Sequence, residues 1–417
     1  MMVQTGYMDI WNNSVSNDST LDESTSSQSG GGNSLIPSSD GADLMLGEVM
    51  DNITFQFDYI VSTSYEISNP SWTASDIATT ADGAYDVHVA DMDGDGDLDI
   101  VSASWLDSTV AWYENDGAAD PSWTATDITT SAAGVHSVFV GDMDGDGDLD
   151  IVSGDYNDAT IAWYENDGAA DPSWTAADID GNATGVRSVH VADMDGDGDL
   201  DILSASALDN TIAWYENDGA ANPSWTATDI NTSASHAYEV YAADMDDDGD
   251  LDIVSASWGD NTIAWYENDG AADPSWTAAD INTSASGAKS VFVADMDGDG
   301  DLDIISAAAV DDTIAWYEND GAADPSWAAA TIATTADGAK SVFAADMDDD
   351  GDLDIVSASE NDHTIAWYEN DGAADPSWTE VDIATNATGA KSVFVADMDN
   401  DGDLDLWALG SDAPFCW

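Results

Sequence analysis

The string DMDGDGDLD, or a close variant, begins at Asp91, Asp142, Asp193, Asp244, Asp295, Asp346 and Asp397, always 51 residues after the last. The tripeptide PSW keeps the same interval, ending at Trp72, Trp123, Trp174, Trp225, Trp276, Trp327 and Trp378. A fixed period of this length restricts the chain to a propeller, a helical solenoid or a tandem array, and the content of one unit decides between them.

From Lys289 the unit reads KSVFVAD, the Asp-rich loop, LDIISAA, a short gap, TIAWYENDG, a Pro-containing loop and WAAATIATT. These are four short β-rich stretches punctuated by Gly, Asp, Asn and Pro, and none sustains a 3.6-residue period. The second is a nearly continuous run of Ile, Ser and Ala, as in a strand covered on both faces. Four-stranded antiparallel units repeated around an axis make a β-propeller, which protects its sheet edges without disulfides. The expectation is an all-β, seven-bladed β-propeller of four-stranded blades over residues 53–417. The last unit supplies SVFVAD and LDLWALG, while TFQFDYIVSTSYEIS and NPSWTASDIATT near the start resemble a third and fourth strand. The N- and C-terminal strands are therefore expected to share one blade, two strands from each end, as a clasp. Residues 1–52, rich in Ser, Asn and Gly, are expected to form a disordered leader.

Composition narrows the function. With 86 Asp plus Glu against 4 Lys plus Arg, a formal charge of -82 excludes binding to nucleic acid or to an anionic membrane surface. No apolar run is long enough for membrane insertion. The single cysteine, Cys416, excludes a disulfide framework and a Cys-based zinc site. The opening MMVQTGYMDIWNNSVS lacks the basic and apolar regions of a secretory signal, so either the protein is cytosolic or its true start lies upstream.

The Asp loop has the oxygen-rich layout of a hard-cation site. Carboxylates at positions 1, 3, 5 and 9 can converge on one centre, Gly at 6 permits the sharp turn, and position 7 offers a backbone carbonyl. The candidate ligands are Asp91, Asp93, Asp95, Asp97 and Asp99 in the first loop, and Asp142, Asp144, Asp146, Asp148 and Asp150 in the second. The third and fourth offer Asp193, Asp195, Asp197, Asp199 and Asp201, then Asp244, Asp246, Asp248, Asp250 and Asp252. The last three offer Asp295, Asp297, Asp299, Asp301 and Asp303; Asp346, Asp348, Asp350, Asp352 and Asp354; and Asp397, Asp399, Asp401, Asp403 and Asp405. No His or Cys lies in any loop, which disfavours softer metals and points to about seven Ca2+, one per blade. Position 4 is Gly94, Gly145, Gly196, Gly298, Asp247, Asp349 or Asn400, the residue types that best tolerate positive φ. An EF-hand would need Glu at position 12, where Ser102 stands, and helical flanks.

The pattern D-x-D-x-D-G-x-x-D between two strands, repeated over about residues 54–417, resembles the FG-GAP and VCBS repeats, related to the calcium-binding blades of the integrin alpha-chain N-terminal propeller. The resemblance implies a seven-bladed propeller with calcium in loops joining the first and second strands. It also implies a role in adhesion, ligand recognition or extracellular carbohydrate biology. Integrins carry calcium in only some blades, whereas every loop here has the full ligand set.

Two repeat positions vary. The residue entering the first strand is Tyr85, His136, Arg187, Tyr238, Lys289, Lys340 or Lys391, which places all four cationic residues of the chain at one position. The residue after the second strand is Trp105, Tyr156, Ala207, Trp258, Ala309, Glu360 or Ser411. Both are expected on the face opposite the Asp loops, the first near the channel mouth. Tyr85, His136, Arg187, Tyr238, Lys289, Lys340, Lys391, Trp105, Tyr156 and Trp258 form the candidate site for an anionic or carbohydrate ligand. The bland alternative is that the cations only relieve acidic repulsion. Trp112, Tyr113, Glu114 and their equivalents read as blade-to-blade packing, and His88 and His190 as aromatic substitutes rather than catalysts.

The leading expectation is a calcium-binding propeller serving as an extracellular or cell-surface adhesion or recognition module for a glycan or protein ligand. Seven calcium ions would leave a charge near -68, which suits a salty, calcium-rich medium. The alternatives are a carbohydrate-processing lyase or dehydratase with its site at the channel mouth, and a purely structural spacer.

Overall fold

The computed structural model describes residues 28–29, 32–33, 75–78, 81–118, 120–410 and 414–416. The chain divides into two units, Met1–Ile67 and Ser68–Trp417. In the first, Gln28–Ser29 pairs with Gly32–Asn33, and the rest of the expected leader lies outside the described residues.

The second unit is a β-propeller without helices among the described residues. Its first blade is a meander of Ala84–Ala90, Asp99–Ser104, Thr109–Asn115 and Trp123–Thr129, each strand antiparallel to the next. Five more blades repeat this order, the last ending at Ala384. First strands pack on the first strands of neighbouring blades around the axis. Second strands are buried at every residue, as their apolar run requires, and fourth strands are largely exposed.

Six blades, not seven, are thus complete and built of consecutive strands. In place of a seventh stands a closing sheet of Ser392–Ala396, Asp405–Leu409, Pro414–Cys416 and Ser75–Asp76. It joins the two chain ends as expected, but divides the work differently. The C-terminus folds back to supply three strands, with Leu409 opposite Pro414, and only Ser75–Asp76 comes from the N-terminal side. Pro414–Cys416, paired with Asp405–Leu409, takes the third-strand place expected for TFQFDYIV, which lies outside the described residues.

The core is partitioned between blades. Trp112 of blade 1 packs with Val138 and Val140 of blade 2, while Tyr113 on the opposite face packs with Met398, Trp407 and Leu409 of the closing sheet. Strand alternation sends successive side chains to opposite neighbours, so the Trp-Tyr pair cements two interfaces at once. Glu114 departs from the expected packing role. It is partly exposed, and burial, then the neighbouring carboxylates of Asp93, Asp171 and Asp95, raises its carboxyl above the ordinary range.

Asn115 is the other interblade fastener. Its Nδ2 donates to Leu98 O at 3.0 Å within the blade and to Met398 O at 3.0 Å in the closing sheet. Asn166, Asn217, Asn268, Asn319 and Asn370 do the same to the preceding blade. The axis is filled by a ring of His88, Phe139, His190, Tyr241, Phe292, Phe343 and Phe394, with successive centroids 4.5–6.0 Å apart. Burial pushes His88 down to about 4 and His190 to about 3, so both are neutral members of this aromatic plug.

Candidate functional site

Each Asp loop leaves the end of a first strand and re-enters at the start of the second, because Ala90 pairs with Asp99. The hairpin after Ser104 lies at the other end, since Ser104 pairs with Ala84. The propeller therefore has an Asp-loop face and an opposite mouth face, and the two variable positions fall on the second.

In the first loop, Asp91 Oδ1 accepts from Asp95 N at 3.0 Å and Oδ2 from Gly96 N at 3.0 Å. Asp95 Oδ1 accepts from Asp97 N at 3.0 Å. Position 4 has positive φ whether it is Gly94 (74°), Asp247 (58°), Asp349 (58°) or Asn400 (56°), and Gly96 at position 6 lies at 99°. This curl brings one oxygen from each of Asp91, Asp93 and Asp99 within 4.8 Å of one another. Asp142, Asp144 and Asp146 do likewise, as do Asp193, Asp195 and Asp197; Asp244, Asp246 and Asp248; and Asp295, Asp297 and Asp299.

The ninth residue has a second task. Asp99 is 1% exposed, and its carboxylate accepts from Met92 N at 3.1 Å and Asn115 N at 2.8 Å, tying the loop to the third strand. Burial pushes this carboxyl up to about 6, and its equivalents Asp150, Asp201, Asp252, Asp303 and Asp354 to about 7. The side chain of the seventh residue reaches the hairpin between the third and fourth strands. A Cβ on Gly117 would displace the Asp97 carboxylate, and its φ of 64° favours glycine where the two loops meet.

A hard cation fits these loops. Every side-chain donor is oxygen, and burial followed by neighbouring carboxylates holds Asp144, Asp195 and Asp246 above the usual carboxylate range. In the fourth and sixth loops, Oδ1 of Asp246 and of Asp348 is buried without a hydrogen-bond partner. A buried carboxylate oxygen facing its own kind is costly unless a cation neutralises it.

The mouth face is built by a device that the sequence does not display. Ala84 pairs with Ser104 and Asp86 with Ala103, leaving Tyr85 as the extra residue of a bulge. The same shift releases His136, Arg187, Tyr238, Lys289 and Lys340 in the other blades. A bulge re-aims its extra side chain, and here it brings these residues together. Lys391 enters the closing sheet at the equivalent position, with Nζ 5.4 Å from the Tyr85 ring and 3.4 Å from Ala84 O.

The mouth is asymmetric. On one side His136, 2% exposed, packs between Tyr85 and Trp105, each at 4.1 Å between centroids, and on Tyr156 at 5.1 Å. Its Nδ1 donates to Gly134 O at 3.0 Å, leaving Nε2 as acceptor for Arg187 Nη1. Burial, then the Arg187 charge, pushes His136 down to about 3. Arg187 lies over the Tyr156 ring at 4.3 Å and the Tyr238 ring at 5.1 Å, and the hydroxyls of Tyr85 and Tyr238 are in contact. On the other side stand Lys289, Lys340 and Lys391. Lys340 Nζ is 2.8 Å from Glu360 Oε2, the one ion pair among the described residues. Burial, then the Lys340 charge, pushes Lys289 down to about 6.

Of the ten mouth-site residues expected from the sequence, all are on this face, though Trp258 reaches only its rim. Ser411 lies outside the described residues. Two features were missed. The sequence shows Glu360 as a variable residue but not as a carboxylate partner for Lys340. Leu106, Leu208 and Val310, 66%, 52% and 60% exposed, join Trp258 at 41% around the rim. Their signal was available, since the adjacent repeat position also varies.

The fold and its loops define a class: a propeller of four-stranded blades with an Asp-rich loop after each first strand. The FG-GAP-like repeat matches residues 91–153, 142–204, 193–255, 244–306, 302–357 and 346–408. The chain belongs to the FG-GAP-like repeat family. No curated protein matches it. Among solved structures it is similar to BBS1N in complex with ARL6DN, soaked with mercury, at 12% identity and a TM-score of 0.54, over 83% of this chain and 95% of that one. The lead-soaked crystal of the same complex gives 11% and 0.52, again over 83% and 95%. A protein from Lactobacillus plantarum gives 15% and 0.49, over 78% and 90%.

Proposed function

We propose that this protein is a calcium-stabilised propeller that works as an extracellular or cell-surface recognition or adhesion module. Calcium would be held by the Asp loops of one face, and a glycan or protein ligand would be met by the other. The observation that carries this reading is the segregation of chemistry between the faces. Of 86 acidic residues, 37 lie in the seven loops, while all four Lys and Arg side chains meet at the opposite mouth. Millimolar calcium outside cells fills even weak oxygen-ligand sites, and screening there moderates the self-repulsion of so acidic a surface.

The test is a calcium titration of the chelator-stripped full chain, with bound ions counted and thermal unfolding followed. The expected result is about seven ions per chain and a higher Tm, since a ligand at a hundredfold its Kd stabilises by about 2.7 kcal/mol per site. A stripped chain that melts unchanged and binds no more than one ion would refute the calcium role, and the extracellular reading with it.

A further inference from the structure

We propose that the axial mouth binds an acidic saccharide residue, its ring against the Tyr85, Tyr156 and Tyr238 side and its oxyanion among Lys289, Lys340 and Lys391. This rests on the reading of the mouth face as the recognition surface and names the chemistry that the surface takes.

Three observations converge. First, three lysine amino groups from adjacent sheets share one face, and only Lys340 has a carboxylate, Glu360, at 2.8 Å. Protonating all three in half-buried positions is costly unless an anion joins them. Glu360 already shows that a carboxylate fits there. It sits at the rim, 37% exposed against 11% for Lys340, on the variable hairpin position. Second, the opposite side presents tyrosine rings ordered by Arg187, whose guanidinium covers Tyr156 at 4.3 Å and Tyr238 at 5.1 Å. Arg187 Nε is buried without a hydrogen-bond partner, an unmet donor at this side of the mouth. Third, the aromatic ring on the next layer of the first strands gives the mouth an apolar floor, so its polar groups face one side only. A ligand with an apolar ring face on one flank and an oxyanion on the other matches this division, and a uronic acid or a sulfated sugar has both. The depressed Lys289 adds a signature: an arriving anion restores its proton, so binding takes up a proton near neutral pH.

The experiment is titration calorimetry of the calcium-saturated full chain with tri-galacturonate, a sulfated heparin-type disaccharide, neutral maltotriose and a Glu-rich peptide. The expected result is one site per chain for an acidic saccharide, weaker at higher pH, with no binding of maltotriose. Preference between the first two probes tells carboxylate from sulfate. Lys289→Met and Lys340→Met should each weaken binding at least tenfold. Glu360→Gln should tighten it several-fold by freeing Lys340, a gain that misfolding cannot imitate. Equal binding of maltotriose, unaltered in the Lys variants, would overturn the oxyanion assignment while leaving the recognition face standing. Preference for the peptide would overturn the saccharide. Failure of every probe, with Glu360→Gln also silent, would overturn both.

Discussion

Replacing Asn217 by Ala should cost the propeller about 3 kcal/mol. The side chain is 3% exposed and makes three bonds: Nδ2 to Leu200 O at 3.0 Å, Nδ2 to Met143 O at 2.9 Å in the preceding blade, and Oδ1 from Gly219 N at 3.0 Å. Each is worth about 1 kcal/mol net, and a buried carbonyl left without its donor costs at least that much. Asn217→Asp keeps the shape but sets a carboxylate against two carbonyl oxygens, so it should cost more than Ala. The assay is guanidinium unfolding at fixed calcium, followed by tryptophan fluorescence. A loss below about 1 kcal/mol at unchanged m-value would refute the fastener role. Asn115→Ala extends the test to the ring itself. Its interblade acceptor is Met398 O, at 3.0 Å, so an equal loss there requires the closing sheet to dock on blade 1.

Two further outcomes follow from single residues. His236 has φ 49° where the other repeats carry Gly83, Gly134, Gly185, Gly287, Gly338 and Gly389, all at positive φ. His236→Gly should therefore raise stability by roughly 0.5 kcal/mol, the relief of left-handed strain less the added freedom of the unfolded chain; a lower Tm would mean that the edge contact with Trp258 outweighs the strain. Glu239 accepts from Val291 N at the axis, and burial pushes it up to about 8, with Asp86 likewise pushed to about 6. A raised folded pKa means that the folded state holds the proton the unfolded chain has released between about pH 4.5 and 8, so Glu239 makes stability fall with rising pH across that window. Glu239→Gln should flatten that part of the stability profile measured by denaturant titration, and an unaltered slope would show that Glu239 is ionised in the folded protein.

Much of this architecture was legible because it repeats. The 51-residue period, the strand punctuation and the Asp spacing each recur seven times, so the blade and its loop could be read without any single unit being decisive. The faces followed from strand order alone. Strand division in the closing sheet was not legible, because Pro414–Cys416 is three residues long and carries no periodicity. The fastening role of Asn115 was hidden for the opposite reason, since a residue present in every WYEN reads as part of the strand. Glu114 reads as packing by the same logic, whereas its place one residue from the strand end sets it beside Asp93 and Asp95 of the Asp loop. At the mouth, the sequence showed which position varies but not that each variable residue is the unpaired member of a bulge.

That unpaired position lets the mouth be rewritten at little cost to the rest of the molecule. From Tyr85 through Lys340 the side chain stands outside the ladder register, flanked by blades that are otherwise close copies. Exchanging one 51-residue cassette for its neighbour through recombination would substitute one mouth residue while leaving the sheets, plug and Asn fasteners intact. The opening is thus a short combinatorial address in a uniform frame, open to diversification by copying and shuffling as well as by point substitution.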